Sequence, residues 1–141
     1  MSSSGAEVPP SRVMLDTSAY SHLRRGESRV VDAVAHADVV FLSATVLGEL
    51  EAGFRVGSRH LDNRRALEDF LEEPYVRVLD VTRDVARRYG EVFAELRAAG
   101  TPVPSNDIWI AAAALTHDAY LLTFDEHFER IEGLPHLLFR V

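Results

Sequence analysis

At 141 residues the chain fits one domain, long enough to bury ~68–70% of its unfolded surface. With 47% hydrophobic residues and no cysteine, it excludes disorder, disulfides and thiolate-held zinc or iron–sulfur centres, and it suits a reducing, cytoplasmic setting. The net charge is −7 and all fifteen basic residues are arginine, which disfavours passive nucleic-acid binding and excludes a Walker-type phosphate loop, a receiver domain with its usual lysine and Schiff-base chemistry.

In chain order, the Ser/Pro/Gly-rich residues 1–11 read as a flexible tail before a single domain at residues 12–141. The start "MSSSGAEVPPSR" has no basic region followed by an apolar one, and no apolar run approaches ~20 residues, so neither secretion nor membrane insertion is expected. "RVMLD" (Arg12–Asp16) is a short apolar strand ending on an acid. "TSAYSHLRRG" and "SRVVDAVAHA" follow as helices separated by Gly26. "DVVFLS" (Asp38–Ser43) is continuously apolar, the pattern of a strand buried on both faces.

"TVLGELEAGFRVG" is predicted helical with Thr45 as N-cap, and places Val46, Leu47, Leu50 and Phe54 on one face. "RRALEDFLEE" groups Leu67, Phe70 and Leu71 and stops before Pro74. A third strand, "VRVLDV" (Val76–Val81), leads to the amphipathic helix "VARRYGEVFAELRAAG", whose stripe is Val85, Tyr89, Val92, Phe93 and Leu96 and whose stop is Gly100. The apolar helix from Asp107 comes next, with Ser105 or Asn106 as its cap. Then come the strand "AYLLTF", a short helix at "DEHFERI" and a last strand, "LLFRV". Alternating strands and helices without an internal repeat predict a three-layer α/β fold, a mostly parallel five-stranded sheet flanked by helices.

Functional groups in such sheets gather at the carboxyl ends of strands, near a topological switch point. Asp16 ends the first strand, Asp125 lies just past the fourth, Glu49 follows the second, and Asp107 opens the helix leading into the fourth. Four carboxylates converging there would repel one another unless divalent cations occupied the site. Each acid alone has an ordinary reading. Asp107 suits a helix amino end by ~0.3–1 kcal/mol, Asp16 and Asp125 suit helix caps, and Glu49 resembles any solvated helix glutamate. Those readings weaken when the four are taken together.

Four segments in order resemble the PIN-domain ribonucleases of the VapC toxin type. "MLDTSAYSHLRRG" is similar to the family's opening strand with its first acid, Asp16. "LSATVLGELEAG" resembles the segment carrying the second, Glu49. "GTPVPSNDIWIAAAAL" resembles the stretch with the third, Asp107, and "AYLLTFDEHFERI" the closing segment with the fourth, Asp125. The family often carries an acid or asparagine two residues after that fourth position, where this chain has His127.

The resemblance implies that the Asp107 helix is a core helix with its amino end at a metal cleft, and Trp109 either covers the sheet or meets a partner chain. Hard oxygen ligands without thiolates favour Mg²⁺ or Mn²⁺. Asp16 and Asp107 are expected as principal ligands, with Glu49 and Asp125 completing the site directly or through water. Thr17, Ser43 and Thr123 are candidate supporting or phosphate-binding hydroxyls. Two divalent ions would move the charge from −7 to about −3. The Arg24–Arg25 pair is the preferred RNA-binding candidate, since guanidinium suits phosphate. The six histidines show no metal-binding spacing; His127 is close enough to Asp125 to modulate it, with a cap or surface position as the more ordinary expectation.

The resemblance further implies an RNA substrate, a homodimer, and a cognate antitoxin whose tail fills an apolar groove beside the cleft. Two rival functions are a PIN-type nuclease with an RNA-processing or regulatory role and a catalytically silent binding module. An Asp-x-Asp phosphatase is rejected, because "LDTS" has threonine at the second position and lysine is absent.

Overall fold

Five apolar segments pair side by side in a computed structural model that describes residues 8–141. They are β1 (Arg12–Leu15), β2 (Val39–Ser43), β3 (Val76–Leu79), β4 (Tyr120–Thr123) and β5 (His136–Leu138), in the order β3-β2-β1-β4-β5. Every pairing is parallel, so the sheet is wholly rather than mostly parallel. The connections carry α1 (Thr17–Arg24), α2 (Ser28–His36), α3 (Ala44–Val56), α4 (His60–Leu71), α5 (Arg83–Ala99) and α6 (Ser105–Thr116), with a 3₁₀ turn at Glu126–Arg130. No helix among the described residues is long and apolar enough to cross a membrane.

Consecutive strand side chains point to opposite faces. Val13, Met14 and Leu15 of β1 are all fully buried, as are Leu121 and Leu122 of β4, so both sheet faces are covered and the fold has three layers. Helices pack in pairs, α1 with α2, α3 with α4 and α5 with α6. In α6, Ile108, Ile110 and Ala111 to Ala114 are all buried, and small alanine side chains let this helix approach its neighbours closely. The two isoleucines contribute roughly 1.5–3 kcal/mol each. Trp109 turns the other way and stacks on Tyr89 of α5, ring centroids 4.1 Å apart. Phe93, expected in the α5 stripe, stays largely exposed, while Val85, Val92 and Leu96 are buried. Gly100 ends α5 at φ +70°, a left-handed conformation that glycine adopts without Cβ strain.

Local assignments differ from expectation in several places. Ser43, not Thr45, caps α3, its Oγ accepting the Val46 amide at 3.2 Å, so the helix starts directly off β2. α4 begins at His60, before the Arg64–Arg65 pair. Neither Ser105 nor Asn106 caps α6; Pro104 occupies the cap position and no side chain bonds the first turn. The segment after β4 is a 3₁₀ turn, and β5 is centred on Leu137 rather than running to the chain end. Of the tail expected at residues 1–11, residues 1–7 lie outside the described residues. Ser11 is tied into the fold: its carbonyl accepts the Asp38 and Val39 amides, and its hydroxyl donates to Asp38 Oδ2 at 2.7 Å.

The strand order places the switch point between β1 and β4. From β1 the chain steps outward through β2 to β3, then crosses back to lay β4 on the other side of β1. Connections leaving these two neighbouring strands diverge, and the crevice opens at their carboxyl ends.

Candidate metal centre

At that crevice both central strands release the chain through an acid. Asp16 follows β1 and caps α1, its Oδ1 accepting the Ala19 amide and the Ser18 hydroxyl, each at 2.7 Å. Its Oδ2 accepts the Thr123 hydroxyl from the end of β4 at 2.5 Å. A carboxylate offers about four lone-pair positions, so three donors fix its orientation and leave room for one more partner. The donors are themselves anchored: Thr123 Oγ1 accepts the Asp125 amide at 2.9 Å, and Ser18 Oγ accepts the Phe124 amide at 3.1 Å. Asp16 is only 4% exposed. Burial pushes its pKa above the usual carboxylate range, opposed by the bonds from Thr123, Ala19 and Ser18.

Glu49 reaches the crevice from α3. The Thr17 hydroxyl donates to its Oε1, and the Asn106 side-chain amide donates to Oε2 at 3.1 Å. Asp107 is presented by the first turn of α6, with its side chain 15% exposed. Among the described residues no hydroxyl or amide group bonds its carboxylate. Burial raises its pKa to about 6; the charges of Asp125, Glu49 and Asp16 push the same way and His127 opposes them. Asp125 caps the 3₁₀ turn, its Oδ1 accepting the His127 amide at 2.9 Å.

All four acids line one cleft of about 390 Å³ together with Thr17, Ser18, Ser21 and Ile110. Larger hollows of about 620 and 650 Å³ lie elsewhere on the molecule, so donor chemistry rather than size marks this site. His127 stands at its edge, Nδ1 3.2 Å from Asp125 Oδ1 and 3.5 Å from Asp107 Oδ2. His127 thus lies beside Asp125 rather than in a plain surface position, and Asp107, Asp125 and His127 offer three ligand atoms within 4.8 Å of one another. Carboxylate oxygens from four chain segments, with negative charge in excess of the local donors, fit a hard divalent cation.

Other residues singled out in the sequence fall as follows. Thr17 and Thr123 are bonded to Glu49 and Asp16. Ser43 is buried and caps α3, and it is not among the residues lining the cleft. Arg24 and Arg25 end α1, some eight residues or ~12 Å of helix beyond the crevice. Arg24 lines a separate groove with Arg65, Phe70 and Tyr75, and no arginine lines the cleft. Sequence reasoning missed Ser18, Ser21 and Asn106. Ser18 and Ser21 follow Asp16 on the opening turns of α1, and Asn106 directly precedes Asp107, so adjacency to the acids was the available signal.

Residues 13–134 match the PIN domain family. The chain is a PIN domain protein. Its PIN domain is similar to Ribonuclease VapC1 of Haemophilus influenzae, 29% identical over 126 residues that cover 86% of this chain and 92% of the relative. It is also similar to the plasmid stability protein StbB of Pseudomonas syringae pv. tomato, 34% identical over 122 residues, covering 80% and 87% respectively. Among solved structures, the crystal structure of VapBC2 from Rickettsia felis bound to a DNA fragment from their promoter superposes with a TM-score of 0.79 at 25% identity, over 90% of this chain and 98% of that one.

Proposed function

We propose that this PIN domain protein is a metal-dependent endoribonuclease that acts as the toxin of a toxin–antitoxin pair, cutting RNA phosphodiester bonds. The observation that carries the reading is the convergence of Asp16, Glu49, Asp107 and Asp125 on one cleft at the switch point, in a chain whose relatives include VapC ribonucleases. Asp16 and Asp107 are the principal metal ligands, with Glu49 and Asp125 completing the set, and the oxygen-rich donors suit Mg²⁺ or Mn²⁺. A bound ion of this kind lowers the pKa of water and offsets charge on the leaving oxygen of a phosphodiester.

The chain's own groups do the positioning. Ser18, Ala19 and Thr123 hold the Asp16 carboxylate in one orientation, and the packed α6 presents Asp107 with little side-chain freedom to lose. Ser21 supplies a hydroxyl to a phosphate in the cleft, while Thr17 and Asn106 spend their donors keeping Glu49 facing it and Ser18 spends its own on Asp16. With no arginine lining the cleft, Arg24 and Arg25 serve RNA beyond the scissile bond rather than at it. The partner proteins are a second copy of the chain and a cognate antitoxin. The groove between α1, α2 and α4, where Leu23, Val31, Phe70 and Tyr75 are interspersed with Arg24, Asp62, Arg65, Asp69 and Glu73, is the surface assigned to the antitoxin.

The test is incubation of the purified chain, free of antitoxin, with bacterial total RNA in Mg²⁺ or Mn²⁺ against EDTA, with cut sites mapped by end sequencing. Cleavage at discrete sites is expected with metal only, falling about 100-fold or more in Asp16→Asn and in Asp107→Asn while both stay folded. Equal cleavage by the variants overturns the reading.

A further inference from the structure

His127 is the residue of this cleft whose arrangement within the fold is unresolved by hydrogen bonding. Its ring nitrogen Nδ1 is buried and has no hydrogen-bond partner among the described residues, although the side chain as a whole is 42% exposed. The nearest polar atoms are carboxylate oxygens of Asp125 and Asp107, at 3.2 and 3.5 Å. A proton on Nδ1 gives ion pairs with both carboxylates at these distances but is not aimed well enough at either oxygen to make a hydrogen bond. A lone pair there would face two carboxylates and be repelled by both. A cation among the three atoms satisfies all of them.

The spacing agrees with that role. Two donors ~2.1 Å from one ion and at right angles to each other lie ~3.0 Å apart, close to the separations of Nδ1 from the two carboxylates. The His127 amide, donating to Asp125 Oδ1 at 2.9 Å, ties the backbone that carries the imidazole to one of the carboxylates it faces. The backbone beneath the ring is anchored before any ion arrives.

Resting on the metal-dependent reading above, we infer that His127 is a nitrogen ligand of the metal centre and makes the site selective for Mn²⁺ over Mg²⁺. The chemistry follows from donor type. Imidazole nitrogen binds the divalent first-row transition ions, Mn²⁺ the most weakly of them, whereas Mg²⁺ prefers oxygen, tolerates little departure from octahedral geometry and gives up water reluctantly. Replacing one oxygen donor by nitrogen therefore raises affinity for Mn²⁺ relative to Mg²⁺, while leaving Asp16, Asp107, Glu49 and Asp125 as the anionic part of the site.

The experiment uses the full chain without RNA. Mn²⁺ and Mg²⁺ affinities are measured by titration calorimetry for wild type, His127→Asn and His127→Asp, and the Mn²⁺ forms are examined by pulsed electron paramagnetic resonance for coupling to ¹⁴N. Wild type is expected to show ¹⁴N coupling and to prefer Mn²⁺. Both variants lose the coupling, and the Mn²⁺-over-Mg²⁺ preference falls about tenfold. His127→Asp retains Mg²⁺ binding, showing that the site itself is intact. Absence of ¹⁴N coupling in wild type, its survival in both variants, or an unchanged affinity ratio overturns the inference. RNA cleavage is scored separately: an active nuclease without ¹⁴N coupling defeats the ligand assignment alone, and a ¹⁴N-coupled protein that cuts no RNA defeats the nuclease reading alone.

Discussion

Asp16 and Asp107 line the same cleft, yet their carboxylates are supported in opposite ways. Asp16 sits at the end of the central strand, nearly inaccessible, and receives three hydrogen bonds from Ala19, Ser18 and Thr123. Asp107 sits on the first turn of α6 with no such donors, facing Asp125, Glu49 and Asp16, and its pKa rises to about 6. One carboxylate is part of the fold's own hydrogen-bond network, and the other is held by the packing of α6 with the His127 ring 3.5 Å from its Oδ2. The charge of Asp107 is therefore left without hydrogen-bond donors among the described residues, whereas much of that of Asp16 is met by protein dipoles.

The largest difference this comparison demands is in stability. Asp16→Ala removes a helix cap and leaves the Thr123 and Ser18 hydroxyls without their acceptor, at a cost of about 2 kcal/mol. Asp107→Ala in EDTA costs nothing or stabilises, because it deletes a charge that its neighbours repel. Urea unfolding of both variants in EDTA checks this, and equal destabilisation by the two would erase the distinction.

A smaller effect separates the two by pH. A carboxyl whose folded pKa is raised binds its proton more tightly in the native state, so it stabilises the protein at low pH and that stability is lost as pH rises through the folded value. For Asp107 the window runs from about 3.8 to about 6, and the upward shift of Asp16 acts with the same sign. Unfolding midpoints in EDTA at pH 5 and pH 7 should therefore fall more steeply with pH in wild type than in Asp107→Asn. Saturating Mn²⁺ should restore stability chiefly at pH 7. Parallel slopes for wild type and variant in EDTA would remove Asp107 as the source.

The smallest effect tests the network around Asp16. Thr123→Val preserves shape but removes the hydroxyl that donates to Asp16 and accepts the Asp125 amide. A loss of about 1–2 kcal/mol and a fall of roughly tenfold in RNA cleavage are expected, measured by urea unfolding and by the cleavage assay. Wild-type values in both would mean that Asp16 needs no such support.

Part of this contrast was legible before any coordinates. Asp16 and Asp125 stand where apolar strands end, and Asp107 stands where an unusually apolar helix begins. Strand-to-helix alternation placed all of them, with Glu49, on one side of a parallel sheet. Thr17 and Thr123 were legible as hydroxyls beside the acids, and they bond Glu49 and Asp16; the remaining hydroxyl and nitrogen roles were not. Ser43 and Thr45 are near-equivalent capping candidates by composition, and only the path of the backbone off β2 selects Ser43. Arg24 and Arg25 follow Asp16 closely in sequence, but a straight helix carries them away from the cleft. His127 has no metal-binding spacing along the chain, because its partner Asp107 comes from a different helix.

Hydrophobic periodicity, strand-terminal acids and the lack of lysine and cysteine are local or compositional, and the sequence alone therefore determined the α/β class, the direction of the sheet and the chemical type of the site. Strand order, the orientation of each carboxylate and the company of His127 depend on contacts between distant segments. The Thr123 to Asp16 bond spans 107 positions and exists only because β4 pairs with β1. Tertiary packing decided which acids hold donors and which stand without them, since burial and hydrogen bonding act on side chains through their neighbours in space rather than in sequence.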